Sequence, residues 1–323
     1  MTQYYWNQAE PYGFSRSRIQ RLIAAGHITV NGARARSSTR LRCRDLVELS
    51  EVPAGETSLM AEALPLDIIY EDSDCIVINK APGMVVHPAA GNVTGTLVNA
   101  LLYHCPTLRG IGTEDRPGVV HRLDKFTSGV MVVAKNQGSL QHLAHQFKNR
   151  SVEKEYLALV WGGFDQQSGT INRPIGRHPA QRKKMSSLYT SARTRAAMTE
   201  WRVLKSFNLK GKAGSGRAIS FLRVKLHTGR THQIRVHLSD LGHPVVGDKV
   251  YGRAGLNNSS DMQCASCADI FSRQALHAQS LAFDNPKSGL RLKFEAPLAD
   301  DMERLLRTLE EQERKSSVRP DRC

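Results

Sequence analysis

The chain has 323 residues, of which 40% are hydrophobic, and 45 Lys and Arg stand against 30 Asp and Glu for a formal net charge of +15. That length suits about two domains, no apolar run reaches the roughly 18 to 20 residues that span a bilayer, and residues 1–10 lack the basic-then-apolar pattern of a signal peptide. The expectation is a soluble, cytoplasmic protein that meets a polyanion. Nucleic acid ranks ahead of an anionic membrane surface, because no long helix with a basic face and an aromatic edge is present.

Residues 15–25 read as a short helix, with Ser15 as N-cap, Ile19, Leu22 and Ile23 on one stripe and Gly26 at the C′ position. Arg16, Arg18 and Arg21 lie off that stripe. The segment Ile28-Thr29-Val30-Asn31-Gly32-Ala33 is a hairpin, since both turn positions need positive φ. Residues 45–49 alternate as a strand. Residues 1–50 hold eight Arg, Arg34 among them, no Lys and three acids. Arginine used so exclusively suits bidentate phosphate contacts, so the small unit is expected to bind RNA. Residues 51–65 read as a linker.

Beyond it, residues 68–71 and 75–79 are expected strands around an Asp-Ser-Asp turn. Helices are expected over 95–104, 140–148 and 231–241, and strands over 156–161, 201–207, 221–226, 281–284 and 290–294. A charged helix follows over 300–315, and residues 316–323 form a disordered tail. Short strands with a few inserted helices give an α+β class built on a large, mainly antiparallel sheet. Residues 166–199 carry seven basic residues, including Arg177, Arg182 and Lys183, and no acid. This stretch is expected to be a mobile basic loop that grips a phosphate backbone.

The run Val119 to Gly129 places one carboxylate, Asp124, between basic residues and a Thr-Ser-Gly turn, with expected strands at 118–120 and 130–134. A carboxylate fixed at a strand end suits a nucleophile or general base. Read alone, the same run is an ordinary turn, for which Asp and Gly are favoured residues. The six cysteines show no disulfide framework. Cys75 and Cys105 read as core thiols. Cys264 and Cys267 form a lone C-x-x-C, half of a zinc ligand set, and are expected on a surface loop.

Four ordered segments share one pattern. They are Asn79-Lys80-Ala81-Pro82-Gly83 with Val86-His87-Pro88, the run from His121 to Gly129, Lys154-Glu155-Tyr156, and Leu226 to His237. Together they closely resemble the RluA-type pseudouridine synthases, and residues 91–101 and 174–179 are similar to the RluD-like branch. The segment from Ser15 to Gly32 is similar to the S4-like RNA-binding domain that many members carry. The resemblance implies domains at 1–55 (S4-like), 56–65 (linker) and 66–315 (catalytic), with a tail at 316–323.

It also implies an isomerase that needs no cofactor or metal and acts as a monomer on RNA, with large-subunit ribosomal RNA the leading substrate. Asp124 carries over as the catalytic residue. The residues do not choose between attack on the sugar, attack on the base and removal of a sugar proton. Arg122 corresponds to the residue that holds the opened RNA, Tyr156 to the tyrosine that stacks on the flipped base, and Leu226 to the lining of the uracil site. Arg235 corresponds to the basic partner of the aspartate, and a cation there favours the charged carboxylate. His232 and His237 are expected to be structural. Phe126 departs from the small acidic residue usual after the Lys, and Arg42-Cys43-Arg44-Asp45 from the usual Lys-Pro-Gly-Asp turn. The competing readings are a non-catalytic RNA-binding or ribosome-assembly protein on the same scaffold, a synthase acting on tRNA, and a zinc enzyme using Cys264 and Cys267.

Overall fold

Asn31 and Gly32 take φ of 52° and 76°, the left-handed region that Gly and Asn tolerate best. They turn the chain between β1 (Ile28–Val30) and β2 (Ala33–Arg34). With β3 (Val47–Leu49) these make a sheet in the order β2-β1-β3, next to α1 (Arg16–Ala25). Asp45 ties off the turn before β3: its carboxylate accepts the Arg42 amide at 2.7 Å and the Asn31 side-chain amide at 2.9 Å. This computed structural model describes residues 16–50, 59–88, 91–113, 115–181, 184–189, 191, 194–209, 217–252 and 271–317.

The larger unit runs through β4 (Ile68–Glu71), β5 (Cys75–Lys80), α2 (Leu97–His104), β6 (Gly112–Thr113), β7 (Arg116–Pro117), β8 (Ser128–Ala134), α3 (Gln137–Asn149) and β9 (Glu153–Trp161). It continues with β10 (Ser168–Asn172), β11 (Gly176–Arg177), β12 (Met185–Ser186), β13 (Met198–Leu209), β14 (Arg217–Leu226) and α4 (Gln233–Asp240). β15 (Leu276–Asp284), β16 (Arg291–Glu295) and α5 (Asp300–Ser317) complete it. Nine strands form one sheet in the order β10-β13-β14-β9-β15-β8-β5-β4, with β16 alongside β15. Among the described strands only β15 and β8 pair parallel, so the class is α+β with a mainly antiparallel sheet.

β8 is buried along its whole length, and alternate side chains serve opposite faces. Met131 and Val133 join Leu97, Leu101, Ile234, Met302 and Leu305 from three helices on one side. Val130, Val132 and Ala134 join Leu143 of α3 on the other. α2 begins in a capping box: Thr96 accepts the Asn99 amide and the Asn99 side chain accepts that of Thr96, satisfying donors a helix start leaves open. Gly129 is required where β8 meets β15. Its φ is 111°, and a Cβ there would lie 2.1 Å from the Ala278 carbonyl oxygen.

Several expectations are corrected. Residues 118–120 are not a strand; only Val119 makes an isolated bridge to Val133. Gly118 turns away at φ 69°, and His121 Nε2, not a strand carbonyl, accepts the Val132 amide at 3.1 Å. Residues 59–65 are no free linker: Leu59 is buried in the core, and the Met60 carbonyl accepts from Asn99 at 2.7 Å. The basic stretch is partly strand, because β10 pairs with β13 and β11 with β12. The last helix runs through Ser317, two residues into the expected tail. Arg182, Lys183, Cys264 and Cys267 lie outside the described residues, as do the side chains of Arg16, Arg18 and Arg21. Among the described residues, no helix is long and apolar enough to cross a membrane, and no His, Cys, Asp and Glu group suits a metal ion.

Candidate active site

The loop bearing Asp124 is clamped from two sides. Lys80, 1% exposed, sends its ammonium to the carbonyls of Ala81, Met84 and Lys125 at 2.7, 3.1 and 3.2 Å. Burial, and next the Arg273 charge, lower it to about 7, yet three carbonyl acceptors match the three donors of the charged form. From the other side Arg273 Nη1 donates to the Phe126 carbonyl at 2.9 Å, while its Nε and Nη2 fork onto Asp301 of α5, each at 2.6 Å. Ser128 Oγ lies 2.9 Å from His277 Nδ1, and His277 Nε2 lies 3.4 Å from the Ala296 carbonyl. A carbonyl only accepts, so Nε2 carries the proton and Ser128 donates to Nδ1.

Asp124 therefore meets its partner on a rigid base. Arg235 Nη1 donates to Asp124 Oδ2 at 2.8 Å, and Arg235 Nε and Nη2 fork onto Asp248 at 2.7 and 3.0 Å. The Arg235 side chain is 6% exposed and that of Asp124 19%. Burial pulls the guanidinium down, but Asp248 and then Asp124 outweigh it and hold it above its ordinary value. Asp248 also accepts the amides of Val250 and Tyr251 at 2.9 and 3.0 Å. One oxygen of Asp124 is thus fixed by Arg235. The other, Oδ1, faces His232 Nε2 at 3.8 Å.

His232 sits at the start of α4 in the left-handed region, φ 57°. Its Nδ1 lies 2.8 Å from Tyr251 Oη, which accepts the Met185 amide at 2.8 Å. Burial lowers its basicity against the pull of Asp124. Gln233 shapes the turn: its side-chain oxygen accepts from Thr228 at 2.7 Å and from the Arg230 amide at 3.0 Å. The expectation that His237 is structural matches its bonds to Thr199 and the Arg173 carbonyl, both 2.9 Å. His232 differs, because it lines the cavity.

That cavity, about 120 Å³, is lined by Arg122, Asp124, Tyr156, Leu226, His232 and Arg235, among others. Tyr156 reaches it from β9, beside Val224 of β14 and Ala278 of β15. Burial, then the Asp124 charge, raise its phenol well above the usual range. Arg122 is exposed at the rim. A second cavity of about 520 Å³ adjoins, sharing Arg122, Tyr156, Leu226 and Arg230 and lined further by Arg116, Lys148, Arg150 and Lys154. Arg34 and Arg177 are exposed but belong to neither cavity.

Sequence reading missed Asp248, Tyr251, the Arg273–Asp301 pair and the burial of Lys80. The only signal was an acid between Gly247 and an aromatic, which is also an ordinary turn composition. Phe126, the departure from pattern, is 45% exposed with Lys125 Nζ 5.6 Å above its ring.

Residues 74–240 match the family model described as RNA pseudouridylate synthase, and residues 11–47 match the S4 domain. The chain is 42% identical over 90% of its length to an uncharacterized RNA pseudouridine synthase of Chlorobaculum parvum, covering 89% of that protein. It is 43% identical over 91% of its length to ribosomal large subunit pseudouridine synthase D of Pseudomonas aeruginosa, covering 88% of it. The solved structure of human RNA pseudouridylate synthase domain containing 1 superposes with a TM-score of 0.57 at 28% identity, covering 81% of this chain and 99% of that one. The chain belongs to the RNA pseudouridine synthase family, whose members are isomerases, and carries an S4 domain. Within that family its similarity falls on the RluD-like branch.

Proposed function

We propose that Asp124 is the catalytic carboxylate of a synthase that isomerises uridines of large-subunit ribosomal RNA, and that the target uridine is flipped out of its stack to reach it. The observation that carries this reading is the Asp124–Arg235–Asp248 relay at the floor of a cavity walled by Tyr156 and Leu226. The reaction breaks the bond from base N1 to sugar C1′, turns the uracil, and joins C5 to C1′. A proton leaves C5 and N1 gains one, so no electrons are exchanged.

Asp124 Oδ2 is engaged by Arg235, which leaves Oδ1 as the reacting oxygen. The carboxylate is too recessed for a stacked base, and flipping costs a few kcal/mol. Tyr156 supplies a ring for the extruded uracil, and Leu226 an apolar wall. Arg122, at the rim, holds the space the base has left. Exposed arginines such as Arg34 and Arg177 give the sequence-independent attraction to phosphates. The ribosomal substrate is supported by relatives that bear that activity in their names.

The test is Asp124→Asn with pseudouridine mapped across ribosomal RNA from cells carrying only the variant. Loss of specific pseudouridines with the protein folded and present is expected. An unchanged map would refute the assignment.

A further inference from the structure

The larger cavity beside the active site holds a buried lysine that meets no carboxylate among the described residues. Lys154 is 7% exposed, and lysine is almost never this buried unless paired. Among the described residues, its ammonium makes no ion pair or hydrogen bond and lies 5.8 Å over the Phe147 ring. The cavity walls add to the imbalance. Arg122, Arg150 and Arg230 line it with Arg116, and its described lining contains no carboxylate. Of these arginines, Arg116 has an acid, Asp115 at 3.4 Å, and His227 of the lining meets Glu200 at 2.9 Å, both carboxylates being turned largely to solvent. His87, also in the lining, has a buried Nδ1 with no hydrogen-bond partner. Burial and then Arg150 lower Lys154, and burial followed by Arg122 and Arg116 lower His87. The exposed arginines keep their water, so the cost of the cluster is mutual repulsion together with the desolvation of the Lys154 and His87 side chains. Its natural complement is an anion with several acceptor oxygens.

We propose that this cavity is a built phosphodiester site, with Lys154 as its buried anchor, that takes the RNA phosphate adjoining the target nucleotide. The geometry supplies the connection. Lys154 and Tyr156 are two residues apart on β9, so both project from the same face about 7 Å apart. The cavity shares Arg122, Tyr156, Leu226 and Gly229 with the one holding Asp124. A nucleotide whose base lies between Tyr156 and Leu226 therefore has its backbone leading into the basic cavity. The site rests on the reading of Asp124 only for its location. Its charge imbalance stands independently.

The test uses Lys154→Met, which keeps the length of the side chain and its packing on Phe147, with Lys154→Gln as a second variant and Lys154→Arg as a control. A short oligouridylate and inorganic phosphate are the probes. Single-strand binding loses about 0.7 of a log–log salt slope per phosphate contact removed. Between 50 and 200 mM salt, Lys154→Met should therefore lose about 2.5-fold less affinity than wild type, while Lys154→Arg keeps the full slope. Without ligand Lys154→Met should melt higher than wild type, and inorganic phosphate should raise the melting temperature of wild type more than that of the variant. A purely structural lysine predicts the opposite: a lower melting temperature, an unchanged slope and equal phosphate response. An unchanged slope in both Lys154→Met and Lys154→Gln overturns the proposal. Asp124→Asn should keep the wild-type slope, so a failure of the catalytic assignment would be seen separately.

Discussion

Replacing Asp248 by Asn tests the frame that presents Asp124. Asp248 and Arg235 are buried and joined by a fork with contacts of 2.7 and 3.0 Å. Asn retains an oxygen for the amides of Val250 and Tyr251, so the change removes the charge and the acceptor that Arg235 Nε uses while leaving those two bonds in place. Removing one partner of a buried ion pair costs about 3–5 kcal/mol. At roughly 2–4 °C per kcal/mol for chains of this size, the melting temperature should fall by roughly 10 °C. Activity should fall further than stability explains, because Arg235 no longer holds Asp124 Oδ2 in one place. A displacement near 1 Å in a reacting group costs about a hundredfold in rate. Circular dichroism melts and pseudouridine formation on a ribosomal RNA transcript read the two effects. The double variant Arg235→Met/Asp248→Leu replaces the pair by apolar side chains and should recover stability without activity. An Asp248→Asn protein that melts within a degree or two of wild type and keeps full activity would refute the frame.

Three further outcomes follow from the geometry. Gly129→Ala places a methyl carbon 2.1 Å from the Ala278 oxygen at φ 111°; it should cost several kcal/mol, seen as insoluble expression or a sharply lower urea midpoint, and a normal midpoint would contradict the close approach. His121 and His277 are held down to about 3 and about 4 by burial, below the usual 6.5. The unfolded chain therefore takes up protons first, and stability is lost as pH falls from about 6.5 towards those values. At pH 5 the loss is about 2 kcal/mol per histidine, which urea titrations at pH 7 and 5 would measure, and His277→Gln should remove its share. His232 is faced by Asp124, Arg235, Asp248, Arg122 and Tyr251. Its protonation places a cation 3.8 Å from Asp124 Oδ1, so activity should decline in acid, at a pH below the usual histidine range because burial lowers His232. His232→Gln should lack that decline while remaining folded, and an identical acid limb in both proteins would remove His232 from the site.

Much of the site was legible because its chemistry is concentrated in short runs. Asp124, Arg122, Tyr156, Leu226 and Arg235 were all named from sequence, and all five line one cavity. Strand segments rich in Val and Ile were read correctly as strands, since alternation and turn residues are local properties. The misreadings share one cause, which is competition from distant groups. Residues 118–120 look like a strand, but the His121 ring takes the amide a strand partner would have used. Residues 59–65 look like a linker, but Leu59 finds a core built by segments far along the chain.

The sequence alone determined most of the longer strands and helices, the arginine-rich character of the first fifty residues and five of the residues that gather around the cavity of Asp124. Those are carried by periodicity, turn chemistry and motif order. Only the tertiary structure decided that Asp248 anchors Arg235, that Arg273 and Lys80 hold the Asp124 loop, that His232 faces Asp124 Oδ1, and that Lys154 is buried with no counter-charge among the described residues. Most depend on groups from 13 to 147 residues apart meeting in a desolvated space. There burial and partner, not residue type, set what a charge can do.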